Sequence, residues 1–239
     1  MEEKKYWVKT RKRITHQGKR SSSSLPSVPS TTYAQYFTKH YGHPEEWHRG
    51  NLPHRDKPNI VQFITFRQAD SLPKEVLATI EQNLKNLPEE KYKIEKRKLG
   101  ERYLNKGLGS CALGHPEMAQ TMMKALLHHD GGKYDLLAWS IMPNHVHVLI
   151  KTEDKLPKIV QSWKSFTGKW ALNNNEKYKL GIAPKAVKFW MPEYWDRFIR
   201  DEKHFNNTIK YIMNNPKSAR LAEESTAAMY TGTKINDGM

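Results

Sequence analysis

Two histidines one residue apart, His145 and His147, stand in the run Met142-Pro143-Asn144-His145-Val146-His147-Val148-Leu149-Ile150. The run reads as a β-strand, in which alternate side chains leave the same face of a sheet. Both imidazoles therefore share one face, and Val146 and Val148 share the other. Two converging imidazoles can hold a divalent metal ion, although such a pair is also a common polar sheet face. A second set of candidates lies on a predicted helix from 202 to about 215. There Phe205, Ile209 and Ile212 form an apolar stripe, and His204, Thr208, Tyr211 and Asn215 form a polar stripe beside it. Tyr211 and Asn215 are one turn apart on one face. A phenol and an amide oxygen projecting together could serve as nucleophile and third metal ligand. The plainer alternative is a tyrosine packed at the core margin and an asparagine that ends the helix. The combination carries meaning only if this helix packs over the histidine strand.

The elements that must do this positioning follow from periodicity and turn residues. A strand is expected over 60–66. A helix over 74–87 follows from Val76, Leu77, Ile80, Leu84 and Leu87, with the densely charged stretch 89–107 extending or covering it. A helix over about 116–129 presents Met118, Met122, Ala125 and Leu126 and stops at Gly131-Gly132. Strands over 134–142 and 145–151 form an antiparallel pair about the Pro143-Asn144 turn. A helix from 157 to about 173 carries Ile159, Val160, Trp163, Phe166 and Trp170 on one side, with Lys158, Lys164 and Lys169 elsewhere. The aromatic segment 189–200 is extended. Asp201 caps the last helix, and Pro216 is expected to end it. Without the charged insert the order is strand, helix, strand, strand, helix, strand, helix. That order suits an α+β fold with a ferredoxin-like antiparallel sheet and helices packed on one face.

Composition narrows the partners. The chain has 239 residues, with 40 Lys and Arg against 25 Asp and Glu, a formal charge of +15. A polyanion is the first partner to expect, because neutralising phosphates releases condensed counterions. Some of the aromatic residues could stack on unpaired bases. Cys111 is the single cysteine, so an intrachain disulfide is excluded and a reducing, cytoplasmic location is expected. No apolar run approaches the roughly 18 to 20 residues that span a bilayer, so no membrane partner is expected. Residues 1–58 read as a basic, Ser/Pro-containing extension, partly disordered, with Lys9-Thr10-Arg11-Lys12-Arg13 and the run from Arg20 to Ser30. Segment 33–48 is aromatic and suits a short helix or packing on the main domain. The domain proper is expected over 59–222, with the helical insert at about 73–107, and 223–239 as a C-terminal tail. A Gly-rich phosphate loop followed by Lys-Ser/Thr is absent. Leu149 stands where a histidine-triad hydrolase would need its third histidine, and one cysteine cannot build a closed four-ligand zinc site.

Pro143-Asn144-His145-Val146-His147 resembles the HUH motif (His, bulky apolar residue, His) of single-tyrosine transposases and relaxase-like nucleases. Three further blocks resemble the REP-associated tyrosine transposases of that superfamily: Ser162-Trp163-Lys164-Ser165-Phe166-Thr167, Tyr194-Trp195-Asp196-Arg197-Phe198-Ile199-Arg200-Asp201, and Tyr211-Ile212-Met213-Asn214-Asn215-Pro216. The resemblance spans about 59–222. It implies an HUH nuclease domain that cuts single-stranded DNA near an imperfect palindrome folded as a hairpin and joins strands through a 5′-phosphotyrosine intermediate. Carried over by position, His145 and His147 would hold a divalent ion, Mg²⁺ or Mn²⁺, and Tyr211 would be the nucleophile. Asn215 would be the third ligand, where many members have Gln. Arg197 and Arg200, flanking the last strand, and Lys164 and Lys169, on the preceding helix, are the candidate DNA contacts. In relatives the tyrosine helix can serve its own active site or a partner's, and either a monomer or a homodimer is compatible with the sequence. The rival reading is a protein that binds DNA hairpins without cutting them.

Overall fold

In the computed structural model of the chain, residues 59–235 are described, together with the backbone of two short strands, β1 (Glu46–Arg49) and β2 (Leu52–Arg55). These two pair with each other as an antiparallel hairpin, so the end of the 33–48 segment is strand, where a helix was one expectation. The basic arm and the Ser/Pro run lie outside the described residues.

The central sheet has five strands in the order β6-β3-β5-β4-β7, and every neighbouring pair is antiparallel. These are β3 (Val61–Arg67), β4 (Tyr134–Ile141), β5 (His145–Thr152), β6 (Trp195–Phe198) and β7 (Thr231–Thr233). β5 lies between β3 and β4, which is the split arrangement of a ferredoxin-like sheet. Two connecting helices, α3 (Pro116–His128) and α4 (Leu156–Tyr178), cover one face. Their side chains Met118, Met122, Leu126, Ile159 and Trp163 bury against Ile64, Phe66, Leu136, Val146 and Val148. The α+β antiparallel sheet is as expected, but the helices do not all share one face. The last helix, α5 (Glu202–Ser218), packs Phe205, Ile209 and Ile212 on the opposite face with Val61, Phe63, Leu137 and Leu149. The two faces of β3 and β5 are both apolar, so both demand a cover, and a crossover helix can serve only one of them.

Three local departures have simple causes. α5 continues through Pro216 to Ser218, past the proline expected to end it. In the last turn a proline costs little more than one carbonyl's partner, and Asn215 and Pro216 gain burial by staying helical. The ladder resumes after it, with the Ala219 and Leu221 amides each 3.0 Å from the carbonyls of Asn215 and Pro216. On α4 the buried stripe is Leu156, Ile159, Val160, Trp163, Thr167 and Ala171, and Phe166 is 55% exposed although expected inside. Thr167 takes its place because its hydroxyl accepts from Trp190 Nε1 at 2.9 Å while donating to the Trp163 carbonyl at 2.6 Å. Finally, the segment expected as a tail carries a short helix, α6 (Thr226–Met229), and the edge strand β7. Thr-Gly-Thr is too short and polar to announce a strand. Gly232 is needed there, because a Cβ at that position would sit 2.8 Å from the Trp139 ring.

The charged insert folds into two helices, α1 (Lys74–Leu84) and α2 (Glu89–Leu104), packed on each other.

Candidate active site

The site grows from the register of β3 and β5. Thr65 pairs with His147 and Arg67 with His145, while Phe63 pairs with Leu149, so Phe63, Thr65, His145 and His147 share one face. On the other side of β3, Phe63 pairs with Arg197 and Thr65 with Trp195, which places those two side chains on the same face. This is the face that α5 covers. The polar stripe of α5 therefore meets the histidine pair, which meets the condition on which the combination depends.

Tyr211 packs edge-on to His147, ring centroids 5.3 Å apart, and edge-on to Phe63 at 5.7 Å. Phe63 in turn stacks on His147 at 5.6 Å. The two imidazoles stand nearly perpendicular, with centroids 4.7 Å apart. His145 and His147 are 2% and 1% exposed and Asn215 is 2% exposed, whereas Tyr211 is 36% exposed, so the tyrosine is the most accessible of the four.

Each imidazole has a fixed outer partner. Asn144 Nδ2 donates to the carbonyls of Leu104 (3.2 Å) and Leu108 (3.0 Å), which orients its amide. Its Oδ1 then faces His145 Nδ1 at 2.8 Å, so Nδ1 must be the donor and Nε2 keeps its lone pair. His147 Nδ1 shares a hydrogen with Thr65 Oγ1 at 2.9 Å. Outer partners of this kind orient imidazole ligands in metal sites. Burial pushes the His145 pKa down to about 3, and burial followed by the charge of His145 pushes His147 well below its ordinary value. Both rings are thus neutral near pH 7, the state that binds metal.

A divalent ion fits these residues. Two neutral imidazoles have their Nδ1 atoms engaged, and the buried Asn215, one turn from Tyr211 on α5, carries an amide oxygen of the kind that ligates a hard cation. Among the described residues no group of three or more His, Cys, Asp or Glu has metal-binding spacing, so the third protein donor would be an amide oxygen. Two imidazoles with oxygen donors suit Mn²⁺ and other transition ions, and water and phosphate oxygens would complete the shell for Mg²⁺.

The sequence reading missed a contribution from α2. Glu101 faces the Tyr211 hydroxyl. Burial, and then the Glu101 charge, push the Tyr211 pKa well up, opposed by Arg97 and by the Asn215 amide. Burial also raises the Glu101 pKa, with Arg97 and the phenol opposing. One charged helix full of Glu and Lys, with two Arg, offers no signal that Glu101 and Arg97 meet the tyrosine.

Of the candidate DNA contacts, Arg197 lies on the tyrosine face and Arg200 follows just beyond β6. Lys164 and Lys169 lie elsewhere, on α4 behind the sheet, along a groove of about 410 Å³ facing 187–194. Lys164 Nζ donates to the carbonyls of Met191 and Pro192, both at 2.7 Å, so it shapes that loop.

Residues 117–215 match the protein family described as "Transposase IS200 like". An uncharacterized protein of Haemophilus influenzae is 27% identical over 100 residues, an alignment that takes in 32% of this chain and 51% of that protein. The chain thus spans about half the length of that curated relative. Among solved structures, a REP-associated tyrosine transposase bound to a REP hairpin is 12% identical, with 73% of this chain and 77% of that one covered and a TM-score of 0.41. A transposase-like protein from Deinococcus radiodurans R1 is 15% identical, with 72% and 98% covered and a TM-score of 0.28.

Proposed function

We propose, from the match of residues 117–215 to the family described as "Transposase IS200 like", that this protein is a metal-dependent single-stranded DNA endonuclease and strand transferase. It would act at hairpin-forming repeats through a 5′-phosphotyrosine intermediate. The observation that carries the reading is the packing of Tyr211 on His147, with His145 next to it and the buried Asn215 one turn along the same helix.

In this reading the Tyr211 oxygen attacks the scissile phosphorus as the bond to the 3′ oxygen breaks. The products are a 5′-phosphotyrosine and a 3′-hydroxyl. The phosphodiester is conserved in the tyrosine ester, so a 3′-hydroxyl from another strand can reverse the step without an external energy source. His145, His147 and Asn215 would hold the ion. Once bound, the ion would supply Lewis-acid polarisation of the phosphate oxygens. The phenol ring packs edge-on against both Phe63 and His147, which reduces the orientations it must search. Because the phenol is firmly protonated, it must lose its proton during attack, and Glu101 is placed to accept it. The leaving 3′ oxygen takes a proton from water.

The test is a denaturing gel of wild type and Tyr211→Phe after incubation with Mn²⁺ or Mg²⁺ and single-stranded hairpin DNA from repeats flanking the native gene. A metal-dependent covalent protein–DNA band, absent from the Phe variant, supports the reading. Binding of hairpins by both proteins with no adduct or cut strand, across varied flanking sequences, would favour a hairpin-binding protein without nuclease activity.

A further inference from the structure

Helix α2 lies outside the 117–215 family match, yet its residues reach the tyrosine face. The Arg97 guanidinium sits over the Trp195 ring, 5.2 Å from its centroid. Trp195 is edge-on to Phe63 at 5.7 Å, and Phe63 touches both Tyr211 and His147. Arg97 is therefore connected to the nucleophile through a continuous aromatic floor. Arg197 projects from the same face of β6, two residues beyond Trp195. Arg200 follows, and its backbone N–H approaches His204 Nδ1 at 3.4 Å.

Among the described residues the counter-charge of Arg97 is distant: Glu101 Oε1 lies 4.0 Å from its Nη1, the outer limit of an ion pair. Asp201 spends an oxygen on the His204 N–H to cap α5. Burial, and then the charges of Arg200 and Arg97, push the Arg197 pKa down, which puts three guanidiniums close together. The platform is held in place as well. Asn144, which orients His145, also binds the carbonyls of Leu104 and Leu108 at the end of α2.

We propose that Arg97, with Arg197, Arg200 and His204, forms a cradle for the backbone phosphates of the DNA strand that reaches Tyr211. Glu101 holds Arg97 loosely in the DNA-free protein and yields it to phosphate. This inference rests on the nucleic-acid reading above, but it assigns a binding role to a helix outside the family match. A guanidinium held over an indole ring is pre-organised to present its N–H groups to phosphate.

The experiment measures fluorescence anisotropy of a labelled single-stranded hairpin DNA with the full-length chain in EDTA, so that no cutting intrudes, over a series of salt concentrations. Arg97→Gln should weaken binding about tenfold and lower the slope of log K against log salt by about one. Arg97→Lys should recover part of the loss. Lys98→Gln removes the same charge one residue on, where Lys98 pairs with Glu95 at 2.8 Å, and should stay within about twofold of wild type. Should Arg97→Gln lower the melting temperature, Glu101→Gln decides, since it keeps the side-chain shape and should tighten binding about threefold. Equal affinities and slopes for Arg97→Gln and Lys98→Gln, or an unchanged affinity in Glu101→Gln, overturn the cradle. A wild-type adduct with unaltered Arg97→Gln binding would remove the cradle and leave the tyrosine chemistry. Weakened Arg97→Gln binding without any wild-type adduct would do the reverse.

Discussion

At the residue scale, the site depends on side chains that never touch the reacting atoms. Asn144 joins three partners: two carbonyls at the end of α2 and the His145 Nδ1. Asn144→Ala should lower metal affinity about 10- to 100-fold, the usual cost of losing an outer partner of a histidine ligand, read by titration with Mn²⁺. It should also destabilise the fold by about 2–3 kcal/mol in urea melts, because buried groups lose their bonds. Glu101→Gln should slow adduct formation by about 10²-fold in single-turnover assays while DNA binding is kept or tightened, a split that loss of structure would not produce. The buried histidines also set a pH dependence. Their folded pKa values lie below the unfolded value, with His145 at about 3, so between that value and about 6.5 the unfolded chain binds more protons. Stability of the metal-free protein in EDTA should therefore be full above about pH 7 and fall as pH drops toward 4. The slope is about 1.4 kcal/mol per unit for each histidine while the native ring stays neutral, measured by urea melts at successive pH values. His145, His147, Tyr211 and Asn215 were legible because spacing alone assigns them to faces. Asn144, Thr65, Phe63, Glu101 and Arg97 were not, since their roles come from neighbours distant in sequence.

At the element scale, α5 has to bury one stripe and offer another. Asp201 accepts the His204 N–H at 2.7 Å, as the sequence led one to expect of a capping aspartate. Asp201→Ala should cost about 1 kcal/mol, read from chemical denaturation. Element order and most boundaries were legible from periodicity, with α3, β4 and β5 within a residue or two of expectation. The misjudged details were those where tertiary burial outweighs local preference: the helical Pro216, the outward Phe166 and the strand β7. The face chosen by α5 belongs with them, because an amphipathic helix states which of its sides is apolar but not which side of the sheet will receive it.

For the whole molecule, the +15 charge predicts strong salt dependence of nucleic-acid binding. Affinity for single-stranded DNA should fall log-linearly with salt, and a slope near zero between 50 and 300 mM would exclude phosphate contacts as the main attraction. Within the described residues no helix is long and apolar enough to cross a membrane. Among the described residues, the candidate cationic contacts fall on two faces. Arg97, Arg197 and Arg200 gather on the tyrosine face, while Lys164 and Lys169 face a groove behind the sheet.

By itself, the sequence determined the residue types, their two-residue and four-residue spacings, the order of elements and the polyanion-seeking charge. These are local or additive properties, and each can be read from a short window or a sum. Only the tertiary structure decided that α5 lies over the histidine face, that the imidazoles are buried and neutral, and that α2 brings Arg97 and Glu101 to Tyr211. Each of those depends on contacts between segments tens of residues apart, whose free energies come from burying specific surfaces together and leave no periodic trace along the chain.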